Sequence, residues 1–140
     1  MKKASLITLV LFCHLLVSAQ TIKNSNHYTE GYIKSNGTIE NSNHASIGYF
    51  KTDGSITDRN HRTIGYIKAD GRIQNRNHQT IGYVKKDGRV EDSNHSTLGY
   101  IKNKGQIADK NNRTIGYAQE INPVQAAVRF FFFDNLTENK

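Results

Sequence analysis

Cysteine occurs once in this 140-residue chain, at Cys13, and proline once, at Pro123. Cys13 falls within residues 1–19, MKKASLITLVLFCHLLVSA, which carry the parts of a secretory signal peptide: Lys2 and Lys3, an apolar run from Leu6 to Val17, and small residues ending at Ala19. Cleavage is expected after Ala19, giving a secreted or periplasmic protein. The apolar run is shorter than the roughly 20 residues a spanning helix needs, and His14 interrupts it, so no stable membrane insertion is expected once the signal is removed. No cysteine then remains, and the exported domain must hold together without disulfides. The chain also lacks a Ser-centred nucleophile motif and a phosphate-cradling glycine loop. No enzymatic activity and no cofactor are expected.

Loss of Lys2 and Lys3 from the 19 basic residues leaves 17 against 12 acidic, a net charge of about +5. The charge is spread through the chain, as a solvated surface requires, and it also suits contact with acidic polysaccharide or an anionic envelope surface. The exported location argues against nucleic acid as a partner.

What fills the chain is one phrase. NHASIGYFKTDGSITDR, residues 43–59, returns as NHRTIGYIKADGRIQNR, NHQTIGYVKKDGRVEDS and NHSTLGYIKNKGQIADK, at a period of 17 without insertions. Gly-Tyr pairs stand at 31–32, 48–49, 65–66, 82–83, 99–100 and 116–117, and turn glycines at Gly37, Gly54, Gly71, Gly88 and Gly105. Self-similarity at a fixed period means that each unit buries its apolar face against its neighbours. Each unit holds two short β-prone runs. Asp-Gly or Asn-Gly between them predicts a two-residue hairpin turn with both central residues at positive φ, and Asn-His on the other side predicts a turn with Asn left-handed. The glycine spacing and the absence of a 3.6-residue period exclude helix here.

The aliphatics before and after each Gly-Tyr, and one in the second run, are too few to fill a wide twelve-strand barrel. Radial hairpins, each packed on the next, fit better. Thr21-Ile22-Lys23-Asn24 is the second half of a unit, while the last repeat ends after its first half, so the two ends are expected to pair and close a ring without exposed strand edges.

The pattern Asn-His-x-Thr-Ile-Gly-Tyr-Ile-Lys-x-Asp-Gly-x-Ile, with the ending AAVRFFFF, resembles the five-fold β-flower proteins, over residues 21–133. The resemblance implies an all-β, closed radial array of short hairpins, exported by Bacteroidetes-type bacteria, and it brings no catalytic or ligand-binding residues with it. Five turn glycines against six Gly-Tyr pairs leave five or six petals open. Residues 20–119 form the hairpin repeat domain. Residues 120–140 are its closing segment, in which Phe130 to Phe133 are expected to plug or cover the ring centre as a strand or short irregular stretch, since four exposed phenylalanines would invite aggregation.

Three periodic series make the candidate ligand surface: Tyr49, Tyr66, Tyr83 and Tyr100; Lys51, Lys68, Lys85 and Lys102; His44, His61, His78 and His95. Tyr32, Tyr117, Lys34 and His27 extend them. Tyrosine faces can stack on sugars, and a lysine two residues on returns to the same strand face, which together suit an acidic glycan or an envelope protein. Packing between blades and simple solubility are the plainer explanations. A metal site would need the histidines to converge within about 2 Å of one ion, whereas equivalent ring positions stay one blade apart. Asp53, Asp70 and Asp87 read as turn residues, because Asn36 and Lys104 replace the acid elsewhere and no calcium-loop ligand series exists. A secreted, non-enzymatic binding or structural module is the leading reading. A metal-binding or hydrolytic accessory protein is the alternative.

Overall fold

In the computed structural model, which describes residues 20–136, every reversal of the repeat uses a three-residue loop with a left-handed residue at its end, preceded in one loop by a second. The expected signal peptide, residues 1–19, lies outside the described residues. The strands are β1 (Thr21–Asn24), β2 (Thr29–Ile33), β3 (Thr38–Asn41), β4 (Ser46–Phe50), β5 (Ser55–Asp58), β6 (Thr63–Ile67), β7 (Arg72–Asn75), β8 (Thr80–Val84), β9 (Arg89–Asp92), β10 (Thr97–Ile101), β11 (Gln106–Asp109) and β12 (Thr114–Ala118).

Between β2 and β3 the Gly37 amide donates to the Lys34 carbonyl, and only Gly37 of the expected pair has positive φ, at 89°. The two-residue turn is therefore corrected to a type I turn closed by a left-handed residue. Asn36 stays right-handed, and its side-chain oxygen accepts the Thr38 amide at 3.0 Å. Asp53, Asp70 and Asp87 repeat that bond to Ser55, Arg72 and Arg89. Lys104 has no oxygen to offer, and there the turn changes: Lys104 joins Gly105 at positive φ, 64° and 77°.

On the opposite rim the left-handed residue is the histidine and not the asparagine before it: His27, His44, His61, His78 and His95 have φ of 61–66°. The residue three positions earlier fixes this loop. Asn41 Oδ1 accepts the amides of Asn43 and Ala45 at 3.0 and 2.9 Å, and Asn24, Asp58, Asn75, Asp92 and Asp109 do the same in their units.

All twelve strands pair antiparallel with both neighbours, and β1 pairs β12 through Ile22↔Ala118, Lys23↔Tyr117 and Asn24↔Gly116. The ring is thus a continuous hydrogen-bonded barrel of six petals: five chain-continuous glycine-turn hairpins and a sixth made from the two ends. Each histidine-turn pair carries a bulge, for example between Ile39 and Glu40 opposite Ser46 and Gly48. Bulges bend and twist a strand locally, which lets strands of four or five residues close a circle. Ile47, Ile64, Ile81, Leu98 and Ile115 are the extra residues and pack against the core.

The centre follows from one pairing. Ile22, Ile39, Ile56, Ile73, Val90 and Ile107, all fully buried, lie opposite Gly31, Gly48, Gly65, Gly82, Gly99 and Gly116. The lining thus alternates an aliphatic with an empty position. The empty positions receive the C-terminal segment, which is helical and not the expected strand or irregular stretch: α1 (Pro123–Ala127), a π-helical turn (Val128–Phe132) and a 3-10 turn (Asp134–Leu136). Asn122 caps α1 by accepting the Val124 amide at 2.9 Å, with Pro123 at the first helical position. Phe130 meets Gly116, Phe131 meets Gly99, Phe132 meets Gly82, Phe133 meets Gly65, and Leu136 meets Gly48.

Consecutive residues of an α-helix diverge by about 100°, whereas neighbouring petals of a six-petal ring stand about 60° apart. The π-turn closes at i→i+5 and so winds less per residue, which brings four consecutive rings closer to the petal spacing. A twelve-strand barrel therefore does form, against the expectation from the repeats' own aliphatics, because the closing segment supplies the rest of its core.

A Cβ at Gly82 would overlap the Phe132 ring. We expect Gly82→Ala and Phe132→Ala each to destabilise the fold by about 2–4 kcal/mol, with the double variant costing less than the sum, as measured by urea unfolding of all three proteins.

Candidate functional site

Because glycine takes the inward position, the tyrosine after it faces out. There Tyr32 stacks on His44 with ring centroids 4.3 Å apart and planes 13° from parallel. Tyr49–His61, Tyr66–His78, Tyr83–His95 and Tyr117–His27 repeat the stack at 4.2–4.5 Å, the last of them across the junction of the chain ends. Tyr100 faces the unit whose turn residue is Asn112, and it has no imidazole partner. The histidine therefore does two things: its backbone closes the turn, and its ring covers the tyrosine of the preceding unit.

Five of the six tyrosines pair with a second-strand residue of their own hairpin: Tyr32 with Glu40, Tyr49 with Thr57, Tyr66 with Gln74, Tyr83 with Glu91 and Tyr100 with Ala108. All five of these second-strand residues are buried. Glu40 bonds His44 Nδ1 at 3.0 Å and Lys34 at 3.3 Å; Glu91 bonds His95 Nδ1 at 2.8 Å and Arg89 at 3.1 Å. The bond from His44 holds the Glu40 carboxyl below its ordinary value, against the effect of burial, with Lys34 adding to the pull. His95 does the same for Glu91, again against burial, and Lys85 and Arg89 assist. Thr57 Oγ1 and Gln74 Oε1 are buried without a hydrogen-bond partner.

Of the lysine series, Lys51 and Lys85 sit over the rings of Tyr49 and Tyr83, 5.8 and 5.9 Å from the centroids, within cation–π range. Lys68 and Lys102 are exposed. In the first petal a hollow of about 420 Å³ gathers Tyr32, Lys34, Glu40 and His44 with Gln20. The imidazoles stay wet: the His44 and His95 side chains are 64% and 59% exposed.

The histidines thus stand one to a petal, each against a different tyrosine. Among the described residues no three His, Cys, Asp or Glu side chains gather as a metal-ligand set. Sequence reasoning missed Glu40 and Glu91, which sit four residues before a histidine and pair with Lys34 and Arg89 respectively. A glutamate on the tyrosine face of a strand was the available signal.

A family profile described as 5-fold beta-flower protein matches residues 19–134. The chain belongs to this β-flower family. No curated protein and no solved structure matches the sequence. The five glycine-turn hairpins of this β-flower agree in number with the family description, and the sixth petal comes from pairing β12 with β1. No helix among the described residues is long and apolar enough to cross a membrane.

Left-handed backbone is costly for residues with a Cβ and free for glycine. In the β-flower, His61→Ala should lose the Tyr49 stack and keep the strain, while His61→Gly loses the stack and relieves it. We expect His61→Gly to be more stable than His61→Ala by about 1 kcal/mol in chemical denaturation.

Glu40 and Glu91 are ionised more readily in the folded state than at the unfolded value of 4.5. The stability they contribute is present above pH 4.5 and is lost as pH falls through their lowered folded values. The Tm of the native protein should fall between pH 5 and pH 3, and the paired variant Glu40→Gln, Glu91→Gln should show a shallower fall.

Proposed function

We propose that this β-flower is a secreted, non-enzymatic binding module of the bacterial envelope, whose outer belt holds acidic glycan. The observation that carries this reading is the repeated outward arrangement of a tyrosine, an exposed imidazole stacked on it and a lysine beside it, on a scaffold whose interior is already filled. On the inner face five of the six glycine positions are taken by side chains of the closing segment. The outer face offers flat rings with polar edges, and cations at a fixed repeat, which is the chemistry that grips a chain of carboxylated sugars. Weak single contacts repeated around a rigid ring gain strength together, provided one polymer can span neighbouring petals.

Export is supported by the basic start, the apolar run and the small residues of positions 1–19. The non-enzymatic reading is supported by near-identity of the petals, since catalysis generally needs an unlike group at one position.

A glycan array of neutral and uronic-acid polymers tests the proposal. Acidic polymers should be retained at low salt and released as salt rises, and Lys51→Ala with Lys85→Ala should weaken retention several-fold without a change in Tm beyond about 2 °C. Equal retention of neutral and acidic polymers, or no retention of either, overturns it.

A further inference from the structure

The petals are not all alike, and two of the departures face each other across the glycine rim. In the hairpin β10–β11 the turn residue is Lys104 where the others have Asn or Asp, the residue under tyrosine is Ala108 where others are polar, and the next histidine position is Asn112. In the preceding hairpin Lys86 replaces the Ser35, Thr52 or Ala69 of earlier turns. Two of these substitutions, Lys86 and Lys104, line a cleft of about 590 Å³ on the glycine rim, within the range of small-molecule sites. Four lysines line it: Lys85, Lys86, Lys102 and Lys104, all exposed, against Asp87 and Glu120. Ile101, Ile121 and Pro123 supply apolar lining.

Backbone strain marks the same spot. Eight non-glycine residues among those described have positive φ, and six of them are the histidine-rim turn residues. The other two, Lys104 at 64° and Glu120 at 60°, both line this cleft. Strained residues persist where the surroundings over-determine them and are concentrated at functional sites. The crossing of the chain from β12 into the barrel occurs here and accounts for the bend at Glu120. It does not account for a lysine at 104, because Asp or Asn at that place would accept the Gln106 amide as its equivalents do in the other petals.

We infer that this cleft is a binding site for a phosphorylated sugar, centred on Lys86 and Lys104 and bordering the outer belt at Lys85 and Lys102. Lys86, Lys102 and Lys104, with Lys85 at the belt edge, outnumber the carboxylates of Asp87 and Glu120, so the cleft is positive and suits the charge of about −1.5 to −2 on a phosphomonoester at neutral pH. Lysines serve phosphate as mobile point charges. Asp87 in the lining would offer a carboxylate acceptor to a sugar hydroxyl, and Ile101, Ile121 and Pro123 an apolar surface to its C–H face.

Isothermal titration of the purified protein with glucose 1-phosphate, inorganic phosphate and glucose tests the site. The ester should bind most tightly, inorganic phosphate several-fold more weakly, and glucose not at all. Lys104→Asp restores the turn chemistry of the other petals, so its Tm should hold or rise by a few degrees while affinity for the ester falls tenfold or more. Lys86→Ala, across the cleft, should also weaken binding several-fold, and Lys51→Ala on the belt should leave it unchanged. Vesicles bearing a phosphorylated glycolipid separate the two sources of such a group: capture competed by the soluble ester places it on a lipid, titration without capture places it in solution, and both uphold the site. Equal affinity for glucose and its phosphate, or unaltered affinity in both lysine variants, overturns it. So does a fall in Tm for Lys104→Asp with binding retained, which would make Lys104 a purely structural feature of the chain crossing.

Discussion

Everything in this fold depends on the contact between an inward glycine and the ring of a phenylalanine from the closing segment. A barrel of twelve short strands encloses more space than the six inward aliphatics opposite the glycines can fill, and a void has no attractive partner on one side. Glycine at the middle of each first strand would ordinarily weaken it through lost packing and added chain entropy. Here the missing side chain is the socket. Phe130 to Phe133 descend the chain as their glycines ascend the ring in reverse, from Gly116 to Gly65, so the closing segment winds back along the order in which the petals were made. The plug therefore has all its sockets only once the ring is formed, and the ring has its core only once the plug is seated. Such mutual dependence favours cooperative, all-or-none folding of a small domain without disulfides.

The same glycine decides the outer face. Strand alternation places Tyr outward because Gly is inward, and the tyrosine then needs a cover. That cover comes from the following turn, where a left-handed histidine accepts backbone strain in exchange for a stack of about 0.5–1.5 kcal/mol. On the glycine rim no side chain is needed, and the left-handed residue is glycine. One loop geometry thus serves both rims, and the residue at its last position differs according to whether an aromatic neighbour must be covered.

Much of this was legible in the sequence, and what was not has physical reasons. The 17-residue period, the pairing of Thr21–Asn24 with the last half-unit and the central role of Phe130 to Phe133 could be read from local pattern and from the cost of exposing apolar rings. The conformation of the plug could not: four phenylalanines in a row are compatible with a buried strand, and only the ring they radiate into makes a widened helix the better packing. Turn length was misjudged because Asp-Gly serves both two- and three-residue loops, and the choice turns on whether the Asp oxygen binds the amide two residues on. For the outer belt, the series of Tyr, His and Lys was visible, but the stack joins residues twelve apart in neighbouring petals. The glutamates beneath it were invisible because a charged residue at an outward strand position reads as solvated.

A helix and a six-petal ring cannot share a symmetry, and this mismatch is the source of the protein's individuality. Five sockets are filled by four phenylalanines and Leu136, while the nearest neighbours of the sixth, Gly31, are backbone atoms of Glu40 and Asn41. In that same petal the bulge residue is Glu30 and not an aliphatic, and the exposed Tyr28 stands on its rim. Two strands round the barrel from β2, the chain must climb from β12 over the glycine rim to start α1, and the neighbouring turn departs from the repeat at Lys104. A perfect ring would offer six equal surfaces and no distinguished one. Seating a single helix inside it makes one petal underfilled and gives one rim segment a crossing chain, and these are the positions at which side chains are free to diverge from the repeat without unmaking the core.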